Sequence, residues 1–199
     1  MRQKVIAFSF VFLLIISLAL TAAGFLELMK VDSDIKNAAT IAETNINSQK
    51  QRDPIYSSGL NDSNYNLNTP GAIALLTFHT SSSYQIAVFE GITKETLRFG
   101  AAKASGSAYP CQEGNCVLFG HRDSAFRAIP KLKIGDSLEL ETTTDKILYR
   151  VTSIRITSPD DPTIFSDSDK KKLTLVTCYP FTFIGPAPER CVVESFEAP

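Results

Sequence analysis

The sequence predicts an all-β domain, a sandwich or barrel of about eight short strands with short helices, preceded by a single N-terminal transmembrane helix. Three observations lead there. From Pro70 to the C-terminus apolar residues come in short runs, several of them alternating with polar residues, and Gly, Pro, Asn, Asp and Ser separate the runs. Few stretches in that region carry helical spacing. Ahead of it, Val5 to Ala23 is a 19-residue apolar run broken only by Ser9, Ser17 and Thr21.

At 1.5 Å per residue that run reaches about 28 Å, close to the thickness of a bilayer core. The expected span is 5–26, with residues 1–4 as a short cytoplasmic tail. Arg2 and Lys4 precede the run, while Glu27, Asp32 and Asp34 accompany Lys30 after it. The positive-inside bias therefore puts residue 1 in the cytoplasm and the rest outside, in the cell membrane as a single-pass protein. A cleaved signal peptide is the rival reading. Its apolar region is usually shorter, and Thr21-Ala22-Ala23 is only a fair cleavage match. Either way the domain is exported. Residues 27–69 form a stalk and linker. Ile35, Ala38, Ala39, Ala42 and Ile46 make a weak apolar stripe at helical spacing, which Asp32 or Ser33 could cap, so a stalk helix runs from Asp32 to Gln51. Arg52 to Thr69 is rich in Asn, Ser and Asp and reads as an irregular linker lifting the domain off the membrane.

Residues 70–199 carry the β pattern. Ala72–Phe78 and Tyr84–Glu90 are short apolar runs, and Thr93–Leu97 makes a single helical turn. Val117-Leu118-Phe119 leads into Gly120-His121, and Ser124–Ile129 reads as a short helix stopped by Pro130. Lys133-Ile134-Gly135-Asp136 is a turn ahead of Ser137–Thr142. Ile147, Tyr149 and Val151 alternate in one phase, Ile154 and Ile156 in the other, so the chain should bulge near Ser153. Leu173–Thr177 and Arg190–Phe196 complete the set.

A net charge of −1 and the absence of Lys/Arg clusters exclude a strong attraction to nucleic acid or anionic lipid. Chemistry concentrates in three residues. Cys178 closes the run Leu173-Thr174-Leu175-Val176-Thr177, and Tyr179-Pro180 cannot continue a central strand, so the thiol sits at a strand end where a substrate can reach it. His121 stands in a similar strand-end context. Arg190 opens the last strand, with a permanently charged fork that can donate two hydrogen bonds to a developing oxyanion. Thiol, imidazole and guanidinium are the nucleophile, proton carrier and donor that acyl transfer requires. The plain alternatives are a small buried thiol for Cys178 and a surface ion pair with Glu189 or Glu194 for Arg190. His79 fills a strand edge or turn. Two histidines and no dense Cys/His cluster make a poor zinc site, and no metal or cofactor is expected. Four cysteines in an exported domain leave room for a disulfide. With Cys178 as nucleophile, three remain, so at least one is unpaired within the chain.

Gly120-His121-Arg122-Asp123, Phe126 with Lys133-Ile134-Gly135-Asp136, Leu175-Val176-Thr177-Cys178-Tyr179-Pro180-Phe181, and Gly185-Pro186-Ala187-Pro188-Glu189-Arg190 together resemble a sortase, a cysteine transpeptidase of Gram-positive cell surfaces. The resemblance runs from about residue 70 to the end. Tyr-Pro-Phe after the cysteine and the Ala-Pro-Glu-Arg ending are most similar to class D. It implies an eight-stranded barrel with His121, Cys178 and Arg190 at one mouth. It implies that Cys178 attacks the carbonyl after the Thr of a Leu-Pro-x-Thr-type sorting signal on an exported protein. His121 would protonate the leaving amine, Arg190 would hold signal and oxyanion, and Thr177 would lend a nearby contact to the substrate. A peptidoglycan-precursor amine, lipid II-like, would then resolve the thioester.

The chain departs from the family pattern in places. Ala74-Leu75-Leu76-Thr77-Phe78 lacks the usual Ile-Pro, Lys103 stands where many members carry a further histidine, and Cys111 replaces a usual glycine after Pro110. Cys111 and Cys116 are either bridged, stapling the loop that leads to His121, or two ordinary thiols. Cys191 reads as a buried strand residue. Three other functions use the same residues: a pilin-polymerising sortase, a thiol peptidase that passes its acyl group to water, and a membrane-tethered extracellular binding module whose Cys-His-Arg cluster is inactive.

Overall fold

The structure is a computed structural model that describes residues 2–50, 71–80, 83–182 and 185–199. A long helix α1 (Arg2–Lys50) comes first. Eight strands follow: β1 (Ala72–His79), β2 (Tyr84–Glu90), β3 (Ala101–Lys103), β4 (Gly114–Phe119), β5 (Ser137–Glu141), β6 (Lys146–Thr157), β7 (Lys171–Tyr179) and β8 (Glu189–Glu197). Helix α2 (Lys94–Phe99) lies between β2 and β3. Two 3₁₀ turns, η1 (Ile129–Lys131) and η2 (Pro162–Phe165), precede β5 and β7.

The strands close into a barrel in the order β1-β2-β3-β4-β7-β8-β6-β5, and β5 pairs back onto β1. Closure removes the unpaired edges that an open sheet would expose. Two neighbouring pairs, β2–β3 and β4–β7, are parallel and the rest antiparallel. Period-two alternation sorts the strand residues. Leu76, Phe78, Ile86, Val88, Leu118 and Leu140 are fully buried on one face. Leu75, Ala87 and Phe89 occupy the other face of β1 and β2, covered by Ala38, Ala39, Ala42 and Ile46 of α1. The stripe read from the sequence thus forms a helix, but its residues lie against the barrel wall instead of standing clear of it. Asp34 ties this part of α1 to α2 through Arg98, Nη2 to Oδ2 at 2.8 Å. Residues 52–69, read as a linker, lie outside the described residues. The N-terminal part of α1 forms its own unit up to Ser33. It is long and apolar enough to cross a membrane, with Phe12, Leu14, Leu18 and Leu20 all exposed.

Local chemistry explains most element ends. Thr93 caps α2 with its hydroxyl on the Thr96 amide, and Thr96 reciprocates onto the Thr93 amide. Strand β6 carries its irregularity between Val151 and Ser153, where the apolar phase changes. The two alternating runs are therefore one bulged strand. The eighth strand is the three-residue β3, too short to show a period. Of Ser124–Ile129, read as a short helix, residues 124–128 form successive turns, and Ile129 opens the helical turn η1, which has Pro130 at its start.

Candidate active site

β7 supplies Cys178 and β8 supplies Arg190, and the antiparallel register sets the two directly opposite each other. Cross-strand partners of this kind hold their Cβ atoms about 5 Å apart. His121 arrives differently. β4 runs parallel to β7, in step from Gly114↔Lys171 to Phe119↔Val176. The step continues past the end of β4, because the Gly120 amide donates to Val176 O at 3.2 Å. The next position along, His121, therefore leaves the barrel level with Cys178. All three residues emerge at one rim. His121 is exposed, and Cys178 and Arg190 are half-buried.

The face below them is apolar. Val117 and Phe119 of β4, Val176 of β7 and Val192 of β8 share a cluster with Ala104 and Ile164. Alternation puts Cys178 on the same face as Val176, and Arg190 on that of Val192. The three positions thus stand at the end of an apolar strip on the outer face of the barrel, most of it buried. The β6–β7 connection walls this strip: Ile164 of η2 packs into it, and the Phe165 ring stacks on Phe119 with centroids 6.2 Å apart and planes at 27°.

Two contacts fix the loop that carries the histidine. Gly120 lies so close to Phe126 that a Cβ there would meet three ring atoms at 2.8, 2.8 and 2.9 Å. The Phe126 amide returns a hydrogen bond to His121 O at 2.9 Å, and its ring packs edge-on against Phe78. On the other side, the buried Thr177 donates its hydroxyl proton to Gly120 O at 2.7 Å. The hydroxyl is thereby engaged within the barrel, so of the backbone or hydroxyl contact expected of Thr177 it leaves the backbone: the side chain faces away from Cys178 and straps β7 to β4. The Arg190 guanidinium is steadied by its own loop, Nη1 donating to Ala187 O at 3.2 Å and Glu189 O at 2.9 Å. Neither acidic neighbour takes it, and Glu194 pairs with Lys172 at 2.7 Å instead.

The remaining thiols are placed for packing. Cys111, Cys116 and Cys191 are buried, and burial pushes the first two up to about 12 and the third to about 11. Cys111 and Cys116 are not bridged, which corrects the staple considered above. Cys111 instead sits at φ 67° and donates its S–H to Leu140 O at 3.3 Å. Cys178 is the one cysteine with solvent access. His79 pairs with Glu139 at 3.6 Å on the surface, as its strand-end position suggested. Lys103 is buried, with Nζ on Glu90 at 3.2 Å and on Ala104 O at 3.3 Å.

Sequence reasoning missed Asn115 and Asp161, both of which grip η2. Asp161 had a readable signal: an acid directly before a proline is a helix N-cap followed by its preferred first residue. Asn115 had none, because its partners lie about fifty residues away.

The sortase domain profile matches residues 80–197. Sortase D of Bacillus subtilis (strain 168) is 30% identical over 189 residues, which is 91% of this chain and 94% of that protein. The solved catalytic domain of Bacillus anthracis SrtD is 30% identical, with a TM-score of 0.55 over 74% of this chain and 97% of that one. The fold is also that of the Clostridium perfringens sortase D5 transpeptidase, with a TM-score of 0.60 at 23% identity over 85% of this chain and 99% of that one. With the barrel, the half-exposed thiol at its rim and a match over most of its length, this chain belongs to the sortase family of cysteine transpeptidases.

Proposed function

We propose that this sortase cleaves a Leu-Pro-x-Thr-type signal of exported proteins after its Thr and transfers the acyl group to a cell-wall precursor amine. The observation that carries the reading is the registered pair Cys178↔Arg190 with His121 level beside it, on an apolar strip of the barrel's outer face. An extended peptide can lie along the open edge of that strip, its apolar residues against the half-buried Phe119 and the exposed Phe165 and its reacting carbonyl at the rim. Cys178 Sγ adds to the carbonyl carbon. The guanidinium edge carrying Nε and Nη2 donates to the oxygen as it gains charge. His121 gives a proton to the departing amine, the C–N bond breaks, and a thioester remains on Cys178. The precursor amine then attacks, loses its proton to the now neutral imidazole, and releases Cys178 as a thiolate with a new amide bond. The N-terminal helix anchors the enzyme in the cell membrane with residue 1 in the cytoplasm and the barrel outside, where clients and precursor meet.

The test is acyl-enzyme formation by the full-length chain in detergent with a library of Leu-Pro-x-Thr-x peptides, read by intact mass. A covalent adduct on Cys178 that an added amine discharges supports transpeptidation. An adduct discharged equally by water alone marks a peptidase, and no adduct at all marks a binding module. His121→Ala and Arg190→Ala should each cut transfer by about a hundredfold or more without unfolding the barrel. Near-normal transfer by either variant refutes its role. Protease added to intact cells should cut the chain beyond residue 30, and protection there overturns the orientation.

A further inference from the structure

Two polar side chains hold η2 from opposite sides. Asp161 does so from the solvent side. Its Oδ1 accepts from the Thr163 amide at 2.8 Å and the Thr163 hydroxyl at 2.6 Å. Its Oδ2 accepts from the Thr157 hydroxyl at 2.6 Å and from Arg155 Nη1. Arg155 also reaches across to the Thr163 hydroxyl with Nη2 at 2.8 Å, closing the ring of bonds. Asn115 grips from beneath. It is buried, and its amide nitrogen donates to Ile164 O at 3.0 Å and Ser166 O at 2.9 Å, the carbonyls at the end of η2. Its own oxygen accepts from the fully buried Thr174 hydroxyl at 2.7 Å, so the amide cannot rotate away.

These anchors stand on the strands that build the rim. Asn115 belongs to β4, six residues before His121. Thr157 closes β6 and pairs directly with Arg190. What they hold is Ile164, 2% exposed in the apolar strip, and Phe165, 52% exposed above Phe119. Here the backbone on both sides of that ring is tied to the frame of the barrel.

We infer that Asp161 and Asn115 are positioning residues that preset the η2 wall, so that the apolar part of a peptide substrate meets the exposed Phe165 ring already in place. The inference rests on the reading of the rim as a peptide-transfer site. A preset wall lowers KM, because a site that is ordered only part of the time binds more weakly by the fraction of time it is formed. It leaves the chemical step at Cys178 alone.

The decisive variant is Asp161→Ala in the full-length chain. With the peptide that the wild type cleaves fastest, KM should rise about fivefold or more while kcat stays within about a factor of two. Asp161→Asn should fall between, because its oxygen still accepts from the Thr163 amide. Labelling of Cys178 by a small methanethiosulfonate reagent should keep its wild-type rate. Hydrogen exchange at the Ile164 and Ser166 amides should speed up in Asp161→Ala. Asn115→Ala should act in the same direction with a loss of thermal stability added, since its bonds are buried. An unchanged KM, or a fall in kcat at constant KM, overturns the inference. If the wild type reacts with no peptide, the functional reading itself has failed. Exchange then decides the anchoring by itself, and unaltered protection in Asp161→Ala sinks it.

Discussion

Gly120→Ala tests whether the histidine loop is held by close packing. The added Cβ would sit 2.8 Å from Phe126 Cδ2 and Cγ and 2.9 Å from Cε2, whereas ordinary contacts begin at 3.4 Å. Either the ring or the Gly120 backbone must therefore yield by about 0.6 Å. The ring has nowhere to go. Phe126 is fully buried, and Phe78 meets it edge-on at 6.2 Å. Overpacking of this kind costs about 1–3 kcal/mol. For a domain of this size each kcal/mol is worth roughly 2–4 °C, so Tm should drop by about 3–10 °C. The backbone share of the shift falls on His121, the next residue. Displacing a catalytic group by about 1 Å can cost up to a hundredfold, so a shift of half that size should slow transfer by roughly tenfold. Thermal unfolding and acyl-transfer rate are the two assays. Phe126→Leu trims the ring, and the pair should couple: Gly120→Ala should do less harm in that background than in the wild type. Wild-type Tm and transfer in Gly120→Ala, or strictly additive effects in the double variant, would refute the packing argument.

Thr177→Val keeps the shape of a buried side chain but removes the proton given to Gly120 O, leaving that carbonyl unpaired at a cost of about 1–3 kcal/mol. Peptide transfer should fall while alkylation of Cys178 by a small reagent keeps its rate; equal loss in both would mean that the strap orders β7 itself. Thiol reagents at pH 8 should label one cysteine in the native chain and four after denaturation, as counted by mass. Because the folded thiols of Cys111, Cys116 and Cys191 titrate at about 12, 12 and 11, the unfolded chain releases their protons first as pH rises. Their contribution to stability is therefore complete below about pH 8.5 and is lost between there and about pH 11–12. Denaturant titrations across that range should show the decline, and replacing the three by serine should flatten it.

The barrel was legible because its strands are amphipathic or wholly apolar and its turns carry Gly, Pro and Asp. Even the bulge at Ser153 showed as a change of phase between Val151 and Ile154. β3 was not legible, since three residues held by pairing on both sides need no pattern of their own. Ser124–Ile129 misled for a related reason: apolar Ala125, Phe126 and Ala128 are buried, but successive turns bury them as well as a helix would. Cys178, His121 and Arg190 stood out because their residue types and strand-end contexts are local. The Thr177 hydroxyl's bond to Gly120 O was not legible, because its partner lies on another strand and its neighbour Cys178 takes the opposite face. Asn115 was invisible for the converse reason: an asparagine in a strand reads as a misfit until the carbonyls of Ile164 and Ser166 are seen above it.

The site depends on one pairing that no short loop enforces. Arg190 reaches Cys178 through a hairpin, so β8 starts where β7 ends whatever the connection between them. His121 and Cys178 come from strands far apart in sequence, and only the parallel sense of β4 and β7 puts both C-terminal ends at one rim. Were the pair antiparallel, the six residues of β4 would carry His121 to the far rim, roughly 20 Å away at 3.3 Å per residue. Register matters as much as direction. A slip of one residue between β7 and β8 would move Arg190 off the face of Cys178 and turn its charge into the barrel. Apolar burial resists that slip, because Val192 would have to leave the outer cluster that it shares with Val176. The buried cluster beside the rim therefore also keeps the thiol and the guanidinium on the same side of the sheet.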